Sequence, residues 1–238
     1  MNIRKTVAGV GFGIACYAMT AAFLLFVPAS GGSEAVAQKR TAAPTAVFYD
    51  NGPLSSGATS KSGVAAPGGF TWSELSTENG STYSNTTLGA GCQVISTTTN
   101  NRCADDFVVP VGQTWTINNV IVFGYQTGSV ANPFVGANLR IWNGRPGDAG
   151  ATVVFGDTTT NRMGAVVDST YYRVGNTLGG AGGVAAAATG TTRKIWSITL
   201  TVSPGLALTS GNYWIDFQLD GGASGNFCPL VTLSLIHI

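Results

Sequence analysis

The side chains able to do chemistry are few in this chain, and they fall into three sets: carboxylates, cysteines and tryptophans. Asp and Glu number 11 in 238 residues. Past residue 37 the glutamates are Glu74 and Glu78. Their i, i+4 spacing would share a helix face, but this stretch reads as strand and loop. The aspartates Asp50, Asp105, Asp106, Asp148, Asp157, Asp168, Asp216 and Asp220 are scattered. A glycosidase needs an acid and a base or nucleophile facing each other across a sugar, and no spacing here selects such a pair. Asp105 and Asp106 could offer oxygens to Ca²⁺, which favours carboxylates and carbonyls. Adjacent residues of a regular strand point to opposite faces, however, so one ion cannot easily take both. The alternative is one carboxylate in a turn and one in solvent. No Asp-x-Asp-x-Asp-Gly loop occurs. Ca²⁺ is the one ion the sequence raises, and no other cofactor is expected.

Nucleophilic catalysis has little to work with. The single histidine is His237, so the serines before it lack an imidazole base. Residues 38–232 hold no Gly-x-Ser-x-Gly elbow, no Ser-x-x-Lys and no phosphate-binding loop. Cys92 and Cys103 are close in sequence, and in an exported protein they are expected to form a disulfide. Closing so short a loop would stabilise the fold by about 2.5–3 kcal/mol in the chain-entropy account. The alternative is two free thiols. Cys228 is then left over, and three scattered cysteines without histidine lack the spacing of a zinc site.

The tryptophans carry the best binding hypothesis. Trp72, Trp115, Trp142, Trp196 and Trp214 could present flat faces on which sugars stack, or they could fill a core. Trp115 is in phase with Ile117 and is assigned to the core. Trp142 is out of phase with Ile141 and precedes a turn, and Trp214 shares its face with Asp216. Trp142, Trp196 and Trp214 are the candidate ligand-binding residues. Asn79-Gly80-Ser81 and Asn85-Thr86-Thr87 match short glycan-acceptor triplets.

The elements that must position these groups read as strands. Charged residues make up 10% of the chain, against roughly 25% in an ordinary soluble domain. There is no basic face for nucleic acid. Without Arg4, Lys5 and Glu34 the two signs balance, so no steering of a charged partner follows. Period-two alternation recurs at Val47–Tyr49, Phe70–Leu75, Asp105–Val109, Thr114–Tyr125, Asn138–Trp142, Ala151–Gly156, Tyr171–Val174, Lys194–Val202, Leu206–Leu208 and Asn212–Leu219. In Thr114–Tyr125 the pattern places Trp115, Ile117, Ile121, Phe123 and Tyr125 on one face and Val120 and Val122 on the other. In Asn212–Leu219 it places Tyr213, Ile215, Phe217 and Leu219 on one face and Asp216 and Gln218 on the other. About ten short strands with Gly/Pro turns predict an all-β fold, a two-sheet sandwich of jelly-roll type, with a barrel as runner-up. Residues 175–190 are a Gly/Ala-rich loop.

The ends differ from this body. Arg4-Lys5 followed by an uncharged run to Val27 is the pattern of an export signal, here residues 1–37, with Ala35-Val36-Ala37 as cleavage site. Such a leader is a helix; an uncleaved anchor is the alternative. Residues 38–45 are a linker and 46–232 the β domain. Leu233-Ser234-Leu235-Ile236-His237-Ile238 is what CTG TCT CTT ATA CAC ATC encodes, the transposon end of common sequencing adapters. Residues 233–238 are therefore read as an artefact and the β domain as truncated at its C-terminus.

Several longer motifs occur in a fixed order: Asp50-Asn51-Gly52-Pro53-Leu54; Asp105-Asp106-Phe107 with Pro110 and Gly112–Ile117; Tyr125–Ser129; Asn138–Trp142; Val153–Arg162; and Gly211-Asn212-Tyr213-Trp214. This series resembles a group of exported bacterial β-rich proteins with no characterised activity, some carrying surface-sorting or anchoring tails. The resemblance spans most of residues 46–232. It implies a secreted or cell-surface address, a sandwich-like fold and more strand material beyond the equivalent of Pro229, and it carries no catalytic residues. Three functions are compatible with these readings. The first is a non-catalytic structural or adhesive domain contacting cell-surface components. The second is a carbohydrate-binding module for an extracellular glycan. The third is a secreted carboxylate-dependent hydrolase. Membrane contact is expected only through the N-terminal segment, and nucleic acid is not an expected partner.

Overall fold

The computed structural model describes residues 15–18, 46–60, 63–74, 89–94, 100–174, 190–222 and 224–229. Residues 35–37, both glycan-acceptor triplets, the 175–189 stretch and residues 233–238 lie outside them. Ten strands are present and no helix occurs among the described residues: β1 Ala15–Ala18, β2 Ala46–Asp50, β3 Thr71–Ser73, β4 Ala90–Gly91, β5 Cys103–Gly124, β6 Gly136–Asn143, β7 Thr152–Asp157, β8 Met163–Arg173, β9 Lys194–Asp220 and β10 Phe227–Cys228. Within the expected leader, then, the four described residues are extended: β1 pairs antiparallel with β2 and β5.

Eight strands form one mixed sheet, and β4 and β10 form a second, two-stranded one. The frame is a long antiparallel ribbon of β5 and β9, paired from Cys103↔Phe217 to Gly124↔Trp196. At one end β6 and then β7 extend the sheet from β9. At the other, β8 joins β9, β3 joins β8 in parallel, β1 joins β5 and β2 joins β1. One apolar cluster draws on both ends: Phe107, Leu139, Ile141, Ile215 and Phe217 from one, Val120, Val122, Ile198 and Leu200 from the other. The close approach needs glycine at Gly124, where a Cβ would stand 2.5 Å from Leu219 Cδ1 and 2.9 Å from Phe134 Cζ. Phe107 stacks between Trp115 and Tyr213, with ring centroids 6.2 and 5.7 Å away, and Phe48 covers the far side of Trp115 at 5.1 Å. Each large apolar side chain buried in this cluster contributes about 1.5–3 kcal/mol.

Two strands expected separately on each side of a turn are continuous: β5 runs through Pro110–Gln113, and β9 through Ser203–Gly205 and Thr209–Gly211. β8 also begins at Met163, well before the expected Tyr171. The facing of Thr114–Tyr125 is corrected as well. Trp115 and Ile117 are core residues as expected, but the β5–β9 register shifts between Ile117 and Asn119. An extra residue reverses strand parity. Val120 and Val122 therefore enter the main cluster, while Phe123 and Tyr125 pack with Leu54 and Ile195 in a smaller one.

Candidate functional site

The side of β5, β9 and β6 turned away from the main cluster carries an ordered polar patch. Alternation puts Ala137, Leu139 and Ile141 of β6 in the core, and so turns Asn138, Arg140 and Trp142 outward. On β9, Tyr213, Ile215, Phe217 and Leu219 go inward, and Trp214, Asp216 and Gln218 outward, as the sequence predicts. Register aligns them in three rows: Asn138 opposite Gln218, Arg140 opposite Asp216, and Trp142 opposite Trp214. β5 extends the last two rows with Ala104 opposite Asp216 and Asp106 opposite Trp214.

Asp216 is the hub. It is 2% exposed although it lies on the outer face. Arg102 donates to it through Nε at 2.7 Å and pairs with it through Nη2. Arg140 donates through Nε at 3.0 Å to Oδ2 and through Nη2 at 2.7 Å. Trp142 Nε1 donates to Oδ2 at 2.7 Å. Arg102 Nη1 also reaches Asn138 Oδ1 at 2.6 Å and Gln218 Oε1 at 2.5 Å. Asn138 Nδ2 donates to the same Gln218 oxygen at 3.1 Å, and Gln218 Nε2 donates to Asn100 Oδ1. Burial lowers the pKa of Arg102, and the Asp216 carboxylate opposes that shift. A carboxylate buried this way must be saturated by donors, and here it is.

Trp142 and Trp214 are therefore half-buried neighbours at one end of a rigid polar row. The guanidinium of Arg140 lies 4.8 Å from the Trp142 ring centroid, and that of Arg145, in the turn after β6, lies 5.9 Å from Trp214. At the other end of β6, Gly136, Ala137 and Asn138 line an open cleft of about 340 Å³ together with Thr158–Asn161 and Asp220. The Thr158–Asn161 rim is shaped by Asp157, which accepts N–H bonds from Thr159 and Thr160 at 2.8 and 2.6 Å. These bonds, that from the Thr160 amide foremost, hold the Asp157 carboxyl well below the usual carboxylate range. The cleft and the indole pair are thus joined by one strand whose outward side chains are amide, guanidinium and indole, the groups that address hydroxyls and sugar rings.

The candidate tryptophans separate. Trp142 and Trp214 come together. Trp196 does not join them: it lies on the β8–β9 end, opposite Asp168, packed partly against the main cluster and with Lys194 Nζ 5.5 Å from its ring centroid. The register shifts along β9 put it in phase with Ile198 and Leu200 rather than with Trp214. Asp105 and Asp106 fall on opposite faces: Asp105 is buried and accepts from Asn51 Nδ2, while Asp106 is exposed beside Trp214. They do not converge on one ion position. On the indole-bearing face the buried carboxylate is paired with two guanidiniums. Arg102, Arg140 and the role of Asp216 as hub were missed from sequence; the alternation of 213–219 marked the face but not the partners that converge there.

The expected disulfide is corrected. Cys92 bonds to Cys228, 136 residues away, and among the described side chains Cys103 is left as a free, buried cysteine. The reason is placement: Cys92 directly follows β4, and β4 pairs with β10 in the register Cys228↔Ala90. The three sulfurs nonetheless lie within 4.8 Å of one another, although their spacing in sequence looks scattered. Burial pushes the Cys103 thiol up to about 12, with Arg102 pulling the other way.

No protein-family model matches the chain, and no curated protein or solved structure matches it either.

Proposed function

We propose that this chain is a non-catalytic β-sandwich domain, secreted or held at the cell surface, that binds carbohydrate through the outer face of β5, β9 and β6. The observation that carries this reading is Trp142 set directly across from Trp214, both half-buried, at the end of the row held by Asp216. Sugars are bound by stacking a pyranose face on an aromatic ring while amides and charged groups take the hydroxyls. An indole whose N–H is tied to a buried carboxylate keeps its orientation before ligand arrives, which lowers the entropic cost of binding. The sandwich reading is supported by the single apolar cluster that both ends of the β5–β9 ribbon share.

The structural or adhesive reading without a sugar ligand stands behind it, and a carboxylate-dependent hydrolase behind that, since the hub carboxylate is already saturated. A glycan array probed with the full chain, followed by titration with tryptophan fluorescence, tests the proposal. Binding should quench or shift emission, and Trp142→Ala or Trp214→Ala should weaken it at least tenfold, while Trp196→Phe leaves it unchanged. An array without a hit, or binding indifferent to both alanine changes, refutes it.

A further inference from the structure

The chain carries a thiol next to a disulfide, and this pair is independent of the outer face. Cys92, Cys103 and Cys228 are 0, 3 and 1% exposed, and their sulfurs lie within 4.8 Å of one another. Three strands converge to place them. Cys103 opens β5, Cys228 closes β10, and Cys92 follows β4. The Cys92 amide donates to Asn226 O at 3.1 Å, and its carbonyl accepts from the Leu219 amide at 2.8 Å. The Cys103 Sγ faces the carbonyl of Gly91 at 3.5 Å, next to Cys92.

Exchange between a thiol and a disulfide requires a thiolate able to approach one sulfur while the other leaves. All three atoms are held together in one buried cluster, and because burial pushes the Cys103 thiol up to about 12 the thiolate is a minor species, so exchange is slow and quickens as pH rises. We propose that Cys103 is an internal exchange thiol, so that the protein has two covalent isomers, Cys92–Cys228 and Cys92–Cys103. In the step, the Cys103 thiolate bonds to Cys92 Sγ, the Cys92–Cys228 bond breaks with its electron pair going to Cys228 Sγ, and the proton given up by Cys103 ends on Cys228. One disulfide and one thiol enter and leave, so no oxidant or reductant is consumed.

The isomers differ in what they hold. The Cys92–Cys228 bond ties β10 to the end of β4. After exchange the bond ties β4 to β5, and β10 loses its covalent tie but keeps its pairing with β4, the Tyr125↔Phe227 bridge and the stacking of those two rings. Cys228, itself 1% exposed, then carries the thiol. The device therefore moves the reactive sulfur from the start of the central ribbon to the segment at residues 227–228.

Trypsin resolves the outcome, because Arg102 separates Cys92 from Cys103, and Arg140 to Lys194 separate both from Cys228; Cys16 falls on a fourth peptide. The full chain is incubated at pH 8.5 without added thiol, quenched in acid at intervals, denatured, alkylated and mapped by mass spectrometry. The expected result is label on Cys103 at the start, moving to Cys228 with first-order kinetics independent of protein concentration, while the Cys92–Cys103 peptide pair grows in step. In Cys103→Ser the Cys92–Cys228 pair should persist and Cys228 should remain unlabelled. Label confined to Cys103 at all times overturns the proposal. So does transfer whose rate scales with protein concentration, or a product containing Cys16.

Discussion

Replacing Asp216 should cost far more than an exposed ion pair would. Asp216 is 2% exposed and receives donors from Arg102, Arg140 and Trp142. In Asp216→Ala two guanidiniums and an indole N–H lose their shared acceptor. Removing one member of a buried ion pair costs about 3–5 kcal/mol, mostly because charge is left uncompensated. The two arginine side chains retain 18 and 24% exposure and can recover some water, which places the loss near the lower end, about 3 kcal/mol. Asp216→Asn keeps the shape and one oxygen but no charge, and should cost about 2 kcal/mol. Urea unfolding followed by tryptophan fluorescence reads both. With a slope of about 2 kcal/mol per molar, the alanine variant should unfold about 1.5 M earlier. Trp142 should also emit further to the red in the folded state, since its N–H tether is gone. A second variant guards against the charge being irrelevant: Asp216→Leu combined with Arg102→Met and Arg140→Leu should recover much of the loss, as apolar replacement of a complete buried network often does. A loss below about 1 kcal/mol in Asp216→Ala would show that the network is held by something other than this carboxylate.

Other perturbations follow the same logic. Gly156 has φ +81° and a Cβ there would stand 2.0 Å from Leu139 O, so Gly156→Ala should detach β7 from β6, detectable as faster amide exchange over Thr152–Asp157. Cys92→Ser with Cys228→Ser should destabilise the chain by up to about 5 kcal/mol, since a loop spanning 136 residues is no longer closed in the unfolded state; a change under 1 kcal/mol in chemical denaturation would contradict that. The folded state holds the Cys103 proton up to about 12 against an ordinary 9.0, so the stability it lends is present below pH 9 and drains away as pH climbs toward 12. Burial raises Tyr125 to about 12 too, and it contributes over the upper part of that window. The urea midpoint of the native chain should therefore fall more steeply from pH 9 to 11 than that of Cys103→Ser; parallel profiles would count against the burial argument.

Much of the fold was legible because strand patterning is local. The alternation in 213–219 separates core from outer face correctly, and the phase of Trp142 and Trp214 marks both as outward. Where parity shifted, the local reading failed: the irregularity between Ile117 and Asn119 moves Val120 and Val122 into the core, and the shifts along β9 remove Trp196 from the face of Trp214. No single-strand pattern records such a shift, since an inserted residue shows only in the pairing with a neighbour. Cysteine pairing failed for a related reason. Proximity in sequence favours Cys103 as partner for Cys92, but the β4–β10 pairing brings Cys228 to the same place.

Composition and period-two runs alone determined that the chain builds strands and, within unbroken stretches such as 213–219, which side chains turn inward, because these depend on neighbours one or two residues away. Only the tertiary structure decided that Arg102, from outside any strand, meets Arg140 and Trp142 at Asp216, and that the remote Cys228 joins Cys92 and Cys103 in one cluster of sulfur. Those meetings are set by strand order and register across separations of 74 to 136 residues, and the free energy that selects them belongs to the packed sheet rather than to any segment of it.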